Sequence, residues 1–382
     1  MRLLSTERAL LDRVLPGFDA KLTDWGTTAA EDPRTGAVEA FRAAGGGNLL
    51  IPTALGGVGL GCRDGVRLQR AVGSRAPSLA VASTMHHYKV AWLARCGDRQ
   101  AAGTVLRRIA SERHLVASCG AEGNIGKSVF TPGIEVVAAP GGLLVSGTKQ
   151  PCSLTRSLGL MSLSAAGPAG SPYQGQLLML MLPVTTGIAR RPFWGNRVLR
   201  ATETDALALD RAFVPEEMVI PLGDPSASPW RFTSNLLWFQ LLITAAYLGI
   251  ATGHVERLFT EERSTPGDRV AALAPLETAA AALDSLASEL DASGVRGAAP
   301  DGDPGGDDAL GRALLVRYTA QRAIAEATDR ALELEGGMPF VSGGPGSELL
   351  LASRALAFHP PAEVAVRERL DRWLRGGGLT LV

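Results

Sequence analysis

Apolar residues recur at three- and four-residue steps through Arg8–Val14, Ala37–Ala44, Thr84–Ala94 and Ala101–Ile109, which predicts helices over the first part of the chain. Near His114 the period shortens. Ile134–Ala139, Gly142–Ser146, Gly175–Pro183 and Asp205–Pro215 are short apolar runs parted by turn residues, the pattern of strands in a compact antiparallel barrel or sandwich. Past Asp224 helical spacing returns. Thr233, Ser234 and Asn235 are candidate N-caps of a long apolar helix reaching Glu262, and two more helices are expected over Ala271–Ala292 and Asp308–Glu335. Between those two, Gly294–Asp307 is rich in Gly, Asp and Pro and reads as a solvated loop. Helices, then strands, then helices predict an α+β chain in three parts: a helical domain over 1–114, a β-domain over 115–222 and a helical bundle over 223–382.

Composition narrows the partners. Lysine plus arginine and aspartate plus glutamate both number 38, so no net field draws the chain to nucleic acid or to an anionic membrane. The four cysteines, Cys62, Cys96, Cys119 and Cys152, show no paired spacing for a metal or a disulfide framework, and they read as reduced thiols in a cytoplasmic protein with no metal. Met1–Arg8 lacks the apolar core of a signal peptide. The longest apolar run, Leu236–Ala251, carries Gln240 and falls short of the roughly 20 residues a bilayer needs, so it reads as a buried helix. The glycine-rich stretch Leu50–Leu60 has no Gly-Lys-Ser/Thr ending and no preceding strand, so a nucleotide fingerprint is not expected there.

Several motifs, taken in order, resemble those of the acyl-CoA dehydrogenase family. Ile51-Pro-Thr-Ala-Leu-Gly-Gly-Val-Gly59 is similar to its Pro-x-x-x-Gly-Gly-x-Gly loop. Ala117–Gly126 stands where the family carries Thr-Glu-Pro-x-x-Gly-Ser; Glu122 and Gly126 are kept, while Ala121, Gly123 and Lys127 replace its threonine, proline and serine. Ser146–Ser153 resembles the strand beside the flavin, with Ser153 at the hydroxyl position near flavin N5 and Pro151 where an aromatic often covers the ring. Thr202–Pro215 is similar to the segment closing the β-domain. Glu262-Arg-Ser-Thr-Pro-Gly267 resembles the Glu-Arg-x-x-Phe-Gly turn, in which Arg263 would reach the FAD pyrophosphate of a neighbouring subunit. Glu333, Gly336 and Gly337 lie on the Gln-x-x-Gly-Gly motif, with a carboxylate where the family has an amide. The resemblance thus implies FAD, bound through Cys119, Ala121, Glu122, Gly126, Cys152, Ser153, Arg263, Glu333, Gly336 and Gly337, and a homodimer or homotetramer.

The family's catalytic carboxylate comes from one of two places, and this chain has neither. One position falls at Pro361, the other at about Phe239 in a helix whose Leu236–Ala251 run holds no acid. Glu363 and His359 are the candidate substitutes. The plainer reading makes His359, before Pro360 and Pro361, a helix terminator and Glu363 a first-turn acid favoured by the helix dipole. His86 and His87 are candidates for a cavity wall or for satisfied core histidines, and Trp238 and Phe239 for a cavity wall or core. Arg190–Arg197 is either a phosphate-attracting loop or a solvated one.

The expected function is an FAD-dependent oxidoreductase that oxidises an acyl thioester carried on CoA or on a carrier protein, in specialised biosynthesis, with its electron acceptor unassigned. Two alternatives stand beside it. One is a flavin-dependent monooxygenase or oxidase on the same fold, since His359-Pro-Pro more loosely resembles a histidine segment of such enzymes; the other is a scaffold without redox chemistry.

Overall fold

The helical periods of the first 113 residues fold as α1 (Ser5–Val14), α2 (Phe18–Ala30), α3 (Ala37–Ala43), α4 (Cys62–Gly73), α5 (Pro77–Leu93) and α6 (Arg99–Glu112). This is a computed structural model, and it describes residues 2–95, 99–123, 132–224, 230–261, 264–292 and 306–379. Pro77 starts α5, where a missing N–H costs nothing, and the Glu31 carboxylate accepts from Ser78 N at 2.7 Å to cap the first turn. Nearly every residue of α5 is buried. Burial pushes the Glu31 carboxyl up to about 7, against the hydrogen bonds from Ser78. In the glycine-rich loop, the amides of residues 56–60 all donate to carbonyls of residues 48–53. No free row of N–H groups is left there for a phosphate.

Eight strands follow among the described residues: β1 (Leu115–Ser118), β2 (Glu135–Ala139), β3 (Gly142–Cys152), β4 (Leu158–Ala166), β5 (Leu177–Pro183), β6 (Ile188–Arg191), β7 (Asp205–Pro215) and β8 (Val219–Gly223). They form two four-stranded sheets, ordered β1-β4-β5-β8 and β2-β3-β7-β6. The sandwich half of the sequence expectation therefore describes them, while no closed barrel joins the described strands. The pairing is antiparallel except for β1 with β4, which run parallel. A single bridge between Glu122 and Gln150 ties the segment after β1 to β3 of the other sheet.

The last part is α7 (Trp230–Thr260), α8 (Pro266–Ala292), α9 (Gly306–Glu335), α10 (Gly337–Ser342), α11 (Pro345–Arg354) and α12 (Glu363–Leu374), with a 3-10 turn over Ala355–Phe358. Thr233, Ser234 and Asn235 lie inside α7 and are not its caps. Trp230–Asn235 holds neither Gly nor Pro, so nothing stops the helix from extending back through them. Of Gly294–Asp307, only Gly306 and Asp307 are described, and they open α9. Past Gly336 the chain enters the short helix α10.

α7 is the axis of the molecule. Of its most apolar window 89% is buried, which marks a core helix. Glycines set how closely it meets α4: a Cβ on Gly249 would stand 2.2 Å from Arg70 O, one on Gly73 2.2 Å from Ala246 O, and one on Gly253 2.5 Å from Ser74 O. Only residues without a side chain permit that contact.

Candidate functional site

α5 lies against β1 through side chains that spend their polar atoms on backbone. His86 Nδ1 accepts from Val116 N at 3.0 Å, so its Nε2–H donates to Gly47 O at 2.7 Å. His87 Nε2 lies 2.9 Å from Gly46 O and its Nδ1 3.0 Å from the Gln69 amide. Both rings are buried, and burial lowers their pKa to about 3 and about 4. They are satisfied core histidines that fix α5 against β1.

The next residue, Tyr88, links α5 to both β1 and α7. Its hydroxyl bonds Ser118 Oγ at the end of β1, and its ring meets Phe239 of α7 edge-on, centroids 5.2 Å apart. Phe239 in turn meets the His359 ring at 5.8 Å, again edge-on. On the far side of His359, Tyr247 places its hydroxyl 3.0 Å from Nε2. By residue area His359 is partly exposed, yet its ring is enclosed by Phe239 and Tyr247 and faces the charge of Arg317. Burial, aided by that charge, lowers its pKa to about 3, so the ring is neutral. Burial also raises the Tyr247 phenol, which remains a donor. Nε2 therefore accepts, and the ring proton sits on Nδ1.

Arg317 of α9 holds this turn in place. It is fully buried, donates to Leu356 O at 3.1 Å, to Pro360 O and Pro361 O at 3.2 Å each and to His359 O, and binds Gln240 Oε1 at 2.6 Å. One guanidinium thereby gathers the carbonyls that two prolines leave without a helical partner.

The β-domain residues predicted for the cofactor come together beside Ser118. Cys119 and Cys152 are fully buried, and burial followed by the neighbouring Cys152 raises the Cys119 thiol. Ala121 O accepts from Gln150 N at 3.0 Å. Glu122 meets the buried Lys149 Nζ at 2.8 Å and accepts from Gly133 N at 3.0 Å. Burial alone would raise the Glu122 carboxyl, but Lys149 and the backbone donors outweigh it and hold the pKa low. Ser153 Oγ lies 2.9 Å from Thr204 Oγ1, which lies 2.8 Å from Thr202 Oγ1, a short chain of hydroxyls.

The other candidates lie apart from this cluster. Glu363 begins α12 and pairs with Arg322 at 3.2 Å and Arg367 at 3.4 Å, as a first-turn acid does. Glu333 is exposed on α9 and pairs with Arg330 at 3.2 Å; Gly336, with φ of 86°, and Gly337 carry the chain from α9 into α10. Gly126 and Arg263 lie outside the described residues. A cavity of about 820 Å³ between Leu50–Gly61, Arg95 and Leu106 shares no lining residue with the His359 cluster.

Sequence reading missed Tyr88, Tyr247, Arg317 and Lys89. Each is a polar residue in a stretch rich in apolar and small residues, a signal that marks a buried position needing a partner but does not name the partner.

No family model matches the chain. Isobutylamine N-hydroxylase of Streptomyces viridifaciens is 33% identical over 388 residues, covering 100% of both proteins. Mitochondrial isovaleryl-CoA dehydrogenase of Oryza sativa is 24% identical over 309 residues, covering 79% of this chain and 74% of its own. Among solved structures, FMN-bound TdsC from Paenibacillus sp. A11-2 superposes with a TM-score of 0.80 at 18% identity, covering 98% of each chain. The chain belongs to the acyl-CoA dehydrogenase family, as a divergent flavin-dependent oxidoreductase within it.

Proposed function

We propose that the protein is a flavin-dependent monooxygenase that places one oxygen atom on the nitrogen of a small amine, using reduced flavin delivered by a separate reductase. The observation that carries this reading is the neutral His359, bonded to Tyr247 and packed on Phe239, where a dehydrogenase would need a carboxylate. Pro361 and Phe239 occupy the two positions from which the family supplies its base, and Glu363 is tied to Arg322 on the surface of α9. Among the described residues, Glu31, a buried acid with a raised pKa, is bonded to Ser78, and no carboxylate hydrogen-bonds Tyr88, Tyr247 or His359 to remove a carbon-bound proton there. The relative that spans the whole chain, an isobutylamine N-hydroxylase, supports nitrogen as the atom oxidised.

The residues present fit a flavin. A planar ring needs an apolar wall and polar atoms along one edge. Phe239 and Tyr88 form such a wall, while Ser118, Ser153 and the backbone around Ala121 offer donors and acceptors beside it. Gly123 lets the Gln150 side chain close on this segment, since a Cβ there would stand 2.5 Å from its Nε2. Lys149 neutralises Glu122, removing the repulsion a bare carboxylate would present to an anionic cofactor. The acyl-thioester substrate has no comparable support, and FMN is favoured over FAD by the structural neighbour, whose bound flavin is FMN.

A bound flavin supplies the electrons that reduce oxygen. The chain's own part is narrower. Tyr247 holds the His359 ring with its proton on Nδ1, ready to donate at that atom or, after rotation, to accept. Phe239 and Tyr88 keep water from the wall, which favours the uncharged amine a nucleophilic attack requires. Reconstitution with FMN and with FAD, followed by chromatography of the released cofactor and assay of NADH-driven isobutylamine hydroxylation with an added reductase, tests the reading. Retained FMN and a hydroxylamine product are expected; a protein that keeps no flavin and forms no oxygenated amine refutes it.

A further inference from the structure

Two lysines are buried near the end of β1, and only one has a carboxylate. Lys149 is fully buried and meets Glu122 at 2.8 Å. Lys89 is 6% exposed, one residue past Tyr88 on α5 and beside Cys119, just as His86 meets Val116 and Tyr88 meets Ser118 along the same seam. Its Nζ lies 4.7 Å from the Tyr88 ring centroid and 5.9 Å from that of Trp92. Among the described residues it donates no hydrogen bond and pairs with no acid. Ring faces hold an ammonium less firmly than a carboxylate does. Burial accordingly pulls the Lys89 pKa down to about 7. An unpaired buried cation weakens the folded state, and a chain keeps such a residue where a ligand completes it.

We propose that Lys89 is an anion-binding residue of the site, pairing with one negative charge on a ligand seated at the Cys119 end of β1. That charge comes either from a carboxylate on the substrate or from the ring of reduced flavin. The flavin source rests on the function proposed above, and the carboxylate source does not. If the carboxylate is the source, the substrate class is an amine that also carries an acid, rather than a plain alkylamine.

The test uses the whole protein with isobutyrate and isobutylamine, matched in shape and opposite in charge, and with FMN in both redox states. The chain has four lysines, so its ¹³C-lysine spectrum is simple, and Lys89→Arg assigns the Lys89 signal. Isobutyrate or reduced FMN is expected to move that signal. In Lys89→Met, the same ligand is expected to bind at least tenfold more weakly, while isobutylamine and oxidised FMN change less than twofold. Loss confined to isobutyrate assigns the charge to substrate; loss confined to reduced FMN assigns it to the cofactor. A Lys89 signal silent to both, or equal binding of both by Lys89→Met, overturns the proposal. Should Lys89→Met fail to fold, the wild-type signal decides alone. A wild-type protein that binds no flavin in either state defeats the proposed function, while the isobutyrate titration still judges Lys89.

Discussion

Tyr247 and His359 form the smallest unit on which the proposed chemistry depends, and their hydrogen bond has a cost that can be measured. Tyr247→Phe keeps the ring packing and removes only the donor to Nε2, so a loss of about 1 kcal/mol in urea unfolding is expected. Oxygenation should fall more than tenfold in the same variant, because the imidazole then loses the bond that fixes its tautomer. The pH dependence of stability follows from residues of the same kind. His86, His87 and His359 have folded pKa values of about 3, 4 and 3, well below the ordinary 6.5, so unfolding takes up a proton at each between about pH 4.5 and 6.5. Glu31, raised to about 7, releases one over that window. The net uptake is about two protons, and stability should fall by roughly 3 kcal/mol per pH unit as pH drops through the window. Denaturant titrations at stepped pH check this; a flat profile would mean that these rings are not buried as described.

At the scale of elements, two contacts decide whether the site is held. Arg317→Met removes the donor to His359 O and Gln240 Oε1, leaves Leu356 O, Pro360 O and Pro361 O with only His359 N, Gln240 Nε2 and Tyr318 OH, and should cost about 3 kcal/mol or more in unfolding free energy. Gly249→Ala pushes α7 off α4 at the Arg70 carbonyl and should cost about 1–3 kcal/mol, read in the same way. The elements themselves were unevenly legible from sequence. Asp205–Pro215 was bounded correctly as a strand because Phe213, Val214 and the closing Pro215 give a clear pattern. β4 was missed because Gly159, Ser162 and Ser164 interrupt the apolar run of Leu158–Ala166, and its pairing with β1 and β5 makes it a strand. α2 was missed because Gly26 interrupts its period, and the helix is kinked there. At the site, the break at His359 was legible from Pro360 and Pro361. What stands behind it was not, since Tyr247 and Arg317 reach it from positions 112 and 42 residues away.

Across the whole molecule, the fold belongs to a family of flavin-dependent oxidoreductases, and its atypical residues are what the proposed change of chemistry rests on. A carboxylate base is absent from both of its usual positions, and a neutral histidine held by a phenol stands in the cluster instead. On the function proposed above, that exchange leaves no carboxylate at the family's two positions to draw a proton from carbon, and the apolar Phe239 beside His359 suits an uncharged nitrogen. The most direct measurement is the mass of the product formed from isobutylamine, reduced FMN and ¹⁸O₂. A hydroxylamine carrying one ¹⁸O atom, formed only with oxygen present, is the expected result. A desaturated acyl thioester formed without oxygen, with no label in any amine, would contradict the monooxygenase reading and return the protein to dehydrogenation.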